Sequence, residues 1–223
     1  MIITIDGPAG SGKSTAARTL AQELRIAYLD TGATYRAVAY KAMQVGADLA
    51  DADAIASLAG GIDIQMQPDP AGVRVFVDGT DVSLQIRSAA VTENVRYVAG
   101  PPQVRAVLVD LQRRIGRELG SFVTEGRDQG SVVFPDADFK FYLDASPQVR
   151  AQRRYEEMIA RGESADCQQV LDAIVARDAR DRGRATGALI RPKDAIEIDT
   201  SNTTIGQVTK LLLACVRKGS GNP

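Results

Sequence analysis

Ile2-Ile3-Thr4-Ile5-Asp6-Gly7-Pro8-Ala9-Gly10-Ser11-Gly12-Lys13-Ser14-Thr15 decides the fold. It begins as a short β-branched apolar run, the mark of a buried strand, and then turns glycine-rich. From Lys13 to Arg25 the period changes: Ala16, Ala17, Leu20 and Leu24 share one face of a helix. Between strand and helix, Gly7 to Ser14 fits G-x-x-x-x-G-K-[ST], in the context that pattern requires. The glycines let successive backbone N–H groups turn inward around a phosphate, and the new helix adds its positive end. The stretch therefore reads as a P-loop for a nucleoside triphosphate, with Lys13 reaching the β- and γ-phosphates and the Ser14 hydroxyl on Mg²⁺.

Outward from the loop, strand and helix patterns alternate. Ala27 to Leu29, Phe122 to Thr124, Phe139 to Leu143 and Ile196 to Ile198 are strand candidates. Helices are expected over Thr34–Val45, Gln103–Leu119, Pro147–Ala160, Gln168–Asp181 and Thr204–Arg217. Such alternation predicts an α/β fold: a P-loop core with a five-stranded parallel sheet flanked by helices. One region breaks the rhythm. Ile62 to Met66 and Val73 to Val77 alternate apolar and polar residues around the turn chemistry of Pro68 to Gly72, a β-hairpin with one solvated face. Short helical patterns near Asp81–Ile86 and Ser88–Val98 complete a small β-containing insert. The expected division is residues 1–59 and 101–223 for the core and 60–100 for the insert. The tail from Lys218 to Pro223 is expected to fray.

Composition narrows the chemistry. No histidine exists, so Ser-His-Asp triads, Cys-His pairs and histidine-ligated zinc are excluded. The two cysteines, Cys167 and Cys215, have no metal spacing and read as buried or idle thiols of a reducing compartment. No apolar run nears the roughly 18 residues of a membrane span, and the P-loop follows too early for a signal peptide. A net charge of −1 gives no basic field for nucleic acid. A cytoplasmic protein with neither a membrane nor a nucleic-acid partner is expected. Of 27 basic residues only 6 are Lys and 21 are Arg, a skew that suits oxyanion ligands and that a GC-rich genome would also produce.

A P-loop does not say what is done with the triphosphate. No Asn-Lys-x-Asp segment reads guanine, and Phe122-Val-Thr-Glu125-Gly-Arg-Asp128 only half resembles the acidic strand end of an energy-coupling ATPase. Arginines instead gather away from the loop. They occur in Leu29-Asp-Thr-Gly-Ala-Thr-Tyr-Arg36, at a strand end where open α/β sheets bind ligands, and in Glu125-Gly-Arg-Asp-Gln-Gly130, at another. In Arg177-Asp-Ala-Arg-Asp-Arg-Gly-Arg184, positions 177, 180, 181 and 184 share a helix face. A solvated face of ion pairs would account for the last cluster alone; the three together suggest a second, anionic substrate. A small-molecule kinase and a nucleotide-switched ATPase are the competing readings, and a switch has no use for a second phosphate site.

These segments, with Val132-Val-Phe-Pro-Asp-Ala137 and Phe141-Tyr-Leu-Asp-Ala-Ser146, resemble the bacterial cytidylate kinases, a family of nucleoside monophosphate kinases. They run in the family's order over nearly the whole chain, and the hairpin matches the family's enlarged insert. The resemblance implies transfer of the ATP γ-phosphoryl group to CMP or dCMP, with Mg²⁺, by a monomer. It implies that Gly7, Pro8, Ala9, Gly10, Ser11, Gly12, Lys13, Ser14 and Thr15 hold ATP, and that Arg153 and Arg154 belong to a short lid near residues 150–165 closing over it. Arg36, Arg127 and Arg184 would hold the CMP phosphate, Arg177 and Asp181 the ribose, Arg105 and Asp128 the cytosine. Lys13, Arg127, Arg154 and Arg184 would be catalytic. Thr31, also a CMP contact, stands where Ser is usual and keeps the hydroxyl. Arg96 stands where a small hydroxyl residue is usual near the base. Independently of the family, a monophosphate oxygen is already an ionised nucleophile, so a histidine-free protein can manage this reaction by placement and charge neutralisation.

Overall fold

The computed structural model describes residues 1–69 and 72–219; the turn expected at Pro70-Ala71 and the end of the expected fraying tail lie outside the described residues. In chain order the elements are β1 (Ile2–Asp6), α1 (Lys13–Leu24), β2 (Ala27–Asp30), α2 (Thr31–Gln44), α3 (Ala52–Gly61), β3 (Ile64–Asp69), β4 (Gly72–Val77) and β5 (Thr80–Asp81). There follow α4 (Ala89–Ala99), α5 (Pro102–Leu119), β6 (Phe122–Gly126), β7 (Phe139–Asp144), α6 (Pro147–Ala160), α7 (Cys167–Arg182), β8 (Ile196–Asp199) and α8 (Ile205–Gly219). The five strands read from the sequence form one parallel sheet in the order β2-β6-β1-β7-β8. By contacts the chain divides into one unit of Met1–Arg25 with Glu125–Pro223 and a second of Ile26–Thr124.

In the first unit, β1 pairs with β7 in register, Ile3 opposite Phe139 and Ile5 opposite Phe141. A central parallel strand is covered on both faces, which is why these strands read as near-continuous apolar runs. Ile3, Ile5, Phe141 and Leu143 are fully buried, each burial contributing about 1.5–3 kcal/mol. β8 is an edge, and only Ile198 of its residues is buried. Val208, Leu212 and Val216, four residues apart, turn the apolar stripe of α8 inward, and α8 packs on α1. Ser146 caps α6, its hydroxyl accepting from the Val149 N–H, with Pro147 at the first helical position.

The second unit has its own core. Ala37, Val38 and Ala42 of α2 pack with Ile55 of α3, Val75 and Val77 of β4, and Leu108 of α5. The hairpin forms as expected, Ile64 opposite Val77 and Met66 opposite Val75, with Gln65 and Arg74 solvated. Four local expectations change. Helix α2 starts at Thr31 rather than Thr34, because the Asp30 carboxylate accepts from the Ala33 N–H at 2.9 Å and draws the apparent turn into the helix. The second hairpin strand ends at Asp78 and Gly79 as expected, but these two, with φ of 49° and 76°, form a two-residue turn into a third strand, β5, that was not expected. The helical pattern near Asp81–Ile86 resolves into β5 and a single 3₁₀ turn, Gln85–Arg87. Helix α3 was not expected at all: only Ile55 and Ala59 of it are buried, too thin a stripe to read. In the first unit, Cys167 is exposed rather than buried and Cys215 is half-buried; both are free.

Candidate active site

The loop after β1 can form only because Gly7 carries no side chain. A Cβ there would lie 2.0 Å from the Leu143 carbonyl oxygen, and φ is +145°. The loop's carbonyls are held by side chains. Pro8 O accepts from Ser11 Oγ at 3.1 Å and from Lys13 Nζ at 2.6 Å. Ala9 O accepts from Arg150 Nη1 at 3.0 Å, and Ser11 O from Thr200 Oγ1 at 3.1 Å. Carbonyls engaged this way are turned from an anion, which meets the loop's N–H groups and the start of α1. Lys13 is 4% exposed. Burial, and then the charge of Arg127, push its ammonium down to about 7, with Glu125 pulling the other way. The negative charge of bound phosphates opposes that depression.

Ser14 Oγ donates to Glu125 Oε1 at 2.8 Å. The strand-end acid that looked only half like a metal-side group thus meets the hydroxyl expected on Mg²⁺. Below it, Asp6 is buried, and its two oxygens accept from the Gln129 N–H at 2.9 Å and the Gly130 N–H at 2.8 Å. This ties the turn after Asp128 to the strand that launches the P-loop. Gly130 permits the approach, since a Cβ there would be 2.8 Å from Thr4 Oγ1.

Burial pushes the Asp6 carboxyl up to about 7, against the two N–H donors. In the unfolded chain the proton is lost near pH 4. The folded state therefore holds the extra proton between these values, and this group's contribution to stability falls as pH rises from about 4 to about 7. The urea midpoint of the ligand-free protein is expected to drop more between pH of about 5 and about 7.5 in wild type than in Asp6→Asn. Equal drops contradict this assignment.

On the far end of α7, Asp181 gathers arginines. Arg127 Nε lies 2.8 Å from Oδ2, Arg177 Nε lies 4.0 Å from it, and Arg184 pairs with Oδ1. Burial favours the neutral acid, but the charges of Arg127 and Arg184 outweigh it and hold the carboxyl below its ordinary value. Three guanidiniums thus gather around one carboxylate. Asp128, beside Arg127, is 4% exposed. Arg180, which the sequence put on the same face, is exposed.

In the second unit Arg36 Nη2 meets both oxygens of Asp30 at 3.2 and 3.0 Å, and Arg87 Nη2 reaches Oδ2 at 3.4 Å. Arg105 is buried, donates to Ala99 O and stacks over Tyr35 at 5.5 Å. Thr31 is buried in the first turn of α2. Arg96 is exposed and lies over the Tyr97 ring at 4.8 Å.

So the first unit brings together Lys13, Ser14, Arg127, Asp128, Arg177, Asp181 and Arg184, and the second holds Thr31, Arg36 and Arg105. The proposed lid residues have other partners: Arg153 donates to Thr200, and Arg154 pairs with Glu157 at 3.2 Å. Sequence reading gave no role to Asp6, Asp30, Arg87, Arg150 and Asp178, and took the Glu125 strand end only as a half match to a metal-side acid. An acid in an apolar strand was a visible signal for Asp6; nothing local marked Asp178 as buried.

The cytidylate kinase family model matches residues 3–218. A cytidylate kinase of Pelotomaculum thermopropionicum is 49% identical over 97% of this chain and 96% of its own. One from Geobacillus thermodenitrificans is 44% identical over 98% and 97%. Among solved structures, an uncharacterized protein from Eubacterium ventriosum shares the fold with a TM-score of 0.53 at 14% identity, over 98% of both chains. With a P-loop closing on a buried lysine, a carboxylate that gathers guanidiniums, and these matches along its length, the chain belongs to the cytidylate kinase family.

Proposed function

We propose that the protein transfers the γ-phosphoryl group of ATP to CMP, and to dCMP, giving ADP and the diphosphate. The observation that carries this reading lies in the first unit. A P-loop with a buried lysine is accompanied by the Arg127–Arg177–Arg184 group on Asp181, a cluster of guanidiniums of the kind that binds a second anion. A phosphate oxygen of the acceptor attacks the γ-phosphorus as its bond to the β,γ-bridging oxygen breaks, so the leaving charge stays on ADP. Lys13 and the loop N–H groups neutralise the donor phosphates. Arg127 and Arg184 hold the acceptor phosphate, with Arg36 of the second unit assigned the same task. Arg177 and Asp181 contact the ribose; Arg105 and Asp128 read the base, with Thr31 beside the acceptor. Arg153 and Arg154 close over ATP by leaving their present partners.

Mg²⁺ fits what is present. It binds few protein oxygens and keeps waters and substrate phosphates, and Ser14 Oγ with Glu125 supplies hard oxygen donors at one place. When bound it supplies charge neutralisation across the β- and γ-phosphates. The reading extends to a monomer in the cytoplasm, in keeping with two free cysteines. No helix among the described residues is long and apolar enough to cross a membrane.

The test is ADP formation with and without CMP. Water must be kept from competing with the acceptor, so turnover of ATP alone is expected to be at least about a hundredfold slower, a difference of roughly 2.7 kcal/mol in barrier. Equal rates would sink the kinase reading in favour of a nucleotide-switched ATPase.

A further inference from the structure

Arg150 and Asp178 are assigned to neither nucleotide, yet their side chains are 1% and 3% exposed. Arg150, in the first turn of α6, reaches three ways. Nε donates to Ala145 O at 2.8 Å, Nη1 to Ala9 O in the P-loop at 3.0 Å, and Nη2 to Asp178 Oδ2 in α7 at 2.6 Å. Its stem also abuts the loop, since a Cβ on Gly10 would lie 3.2 Å from its own Cβ. One guanidinium thus joins a carbonyl of the phosphate loop to the helix that carries Arg177 and Asp181.

Stability is a poor account of this pair. Asp178 Oδ1 is buried with no hydrogen-bond partner. A buried ion pair whose carboxylate is half satisfied does no better, and often worse, than apolar residues of the same volume. What it does fix is the orientation of a loop carbonyl relative to α7. We infer that Arg150 and Asp178 are positioning residues through which ATP and CMP each tighten the binding of the other. The inference rests on the reading of Arg177 and Asp181 as acceptor-nucleotide contacts.

Two arrangements of the loop make the coupling. With the Ala9 carbonyl docked on Arg150, the loop N–H groups face the donor phosphates, and ATP favours that arrangement. The docked Arg150 holds Asp178, and with it the turn of α7 that carries Arg177 and Asp181, so CMP favours the same arrangement. A ligand shifts an equilibrium only by its preference between states, and the linkage is reciprocal by necessity.

The experiment is calorimetric titration of CMP into the full chain, with and without a non-hydrolysable ATP analogue and Mg²⁺. In wild type the analogue is expected to tighten CMP about fivefold or more. In Arg150→Met/Asp178→Leu the factor is expected to fall below about twofold and kcat to drop, while each nucleotide alone keeps its affinity within about threefold. Asp178→Asn, which keeps the shape and removes the charge, is expected to give an intermediate factor, and serves if the double variant does not fold. Wild type without coupling overturns the inference. So does either variant that keeps the wild-type factor and kcat and only melts earlier. Arg177→Ala separates the underlying reading: if it leaves CMP affinity unchanged, the acceptor-site assignment fails and takes the inference with it.

Discussion

Lys13→Ala is expected to lower kcat/KM for phosphoryl transfer by at least about 10²–10³-fold, the cost of about 2.7–4 kcal/mol that follows loss of a preorganised group at developing charge. In the ligand-free protein the ammonium donates to the Pro8 carbonyl at 2.6 Å and sits 3.5 Å from Ser11 Oγ. It is therefore already placed inside the loop, and a triphosphate needs only to draw it from a carbonyl to a phosphate oxygen. The fold is expected to survive. Burial has already depressed this ammonium, so removing it relieves a desolvation penalty while losing one hydrogen bond. Thermal unfolding and steady-state kinetics on the same preparation separate the two effects. A variant that keeps more than about a tenth of wild-type kcat/KM contradicts the role assigned to Lys13.

The second large effect concerns the base. CMP and UMP differ at position 4, amine against carbonyl, and in whether N3 accepts or donates. Asp128 is buried, and the turn that follows it is fixed by the two N–H bonds from Gln129 and Gly130 to Asp6. The backbone next to this carboxylate is thus held in place. If Asp128 accepts from the cytosine amine, UMP brings one acceptor against another, an unpaired contact costing about 1–3 kcal/mol. CMP is then expected to be preferred by about fivefold to about 160-fold. Asp128→Ala is expected to lower kcat/KM for CMP far more than for UMP and so compress that ratio. Arg127→Ala, on the proposed assignment of Arg127 to the acceptor phosphate, is expected to weaken both nucleotides alike. An unchanged CMP/UMP ratio in Asp128→Ala would make Asp128 a structural partner of its neighbours rather than the base reader.

Much of the fold was legible because its signals are local. Ile2 to Leu24 states a strand, a turn and a helix in one run, and the parallel strands announce themselves as apolar runs because the sheet is covered on both faces. Residues 62–66 and 73–77 announce a hairpin by period-two alternation. What the sequence concealed depends on caps and on partners remote in the chain. The first turn of α2 looks like a loop until Asp30 is seen to cap it. Helix α3 buries so little that its period is lost among alanines. Three arginine-bearing segments pointed to an anion site, and within the first unit Arg127, Arg177 and Arg184 do converge. That they converge on Asp181, 54 residues from Arg127 in the chain, no spacing could show. The same holds for Asp6 and the turn 123 residues away, and for the tie from Arg150 to Ala9. Residue types marked the candidates, and only folding paired them.

The account's central claim is that the donor is ATP and the acceptor a cytidine monophosphate. One panel tests it most directly: ATP and Mg²⁺ with CMP, dCMP, UMP, AMP and GMP in turn, reading ADP and the new diphosphate together. The account predicts stoichiometric ADP and CDP with CMP, transfer to dCMP, a weaker response to UMP, and no transfer to the purine monophosphates above background. Transfer to AMP or GMP at a rate equal to that with CMP, or ADP formed without any diphosphate product, would contradict it.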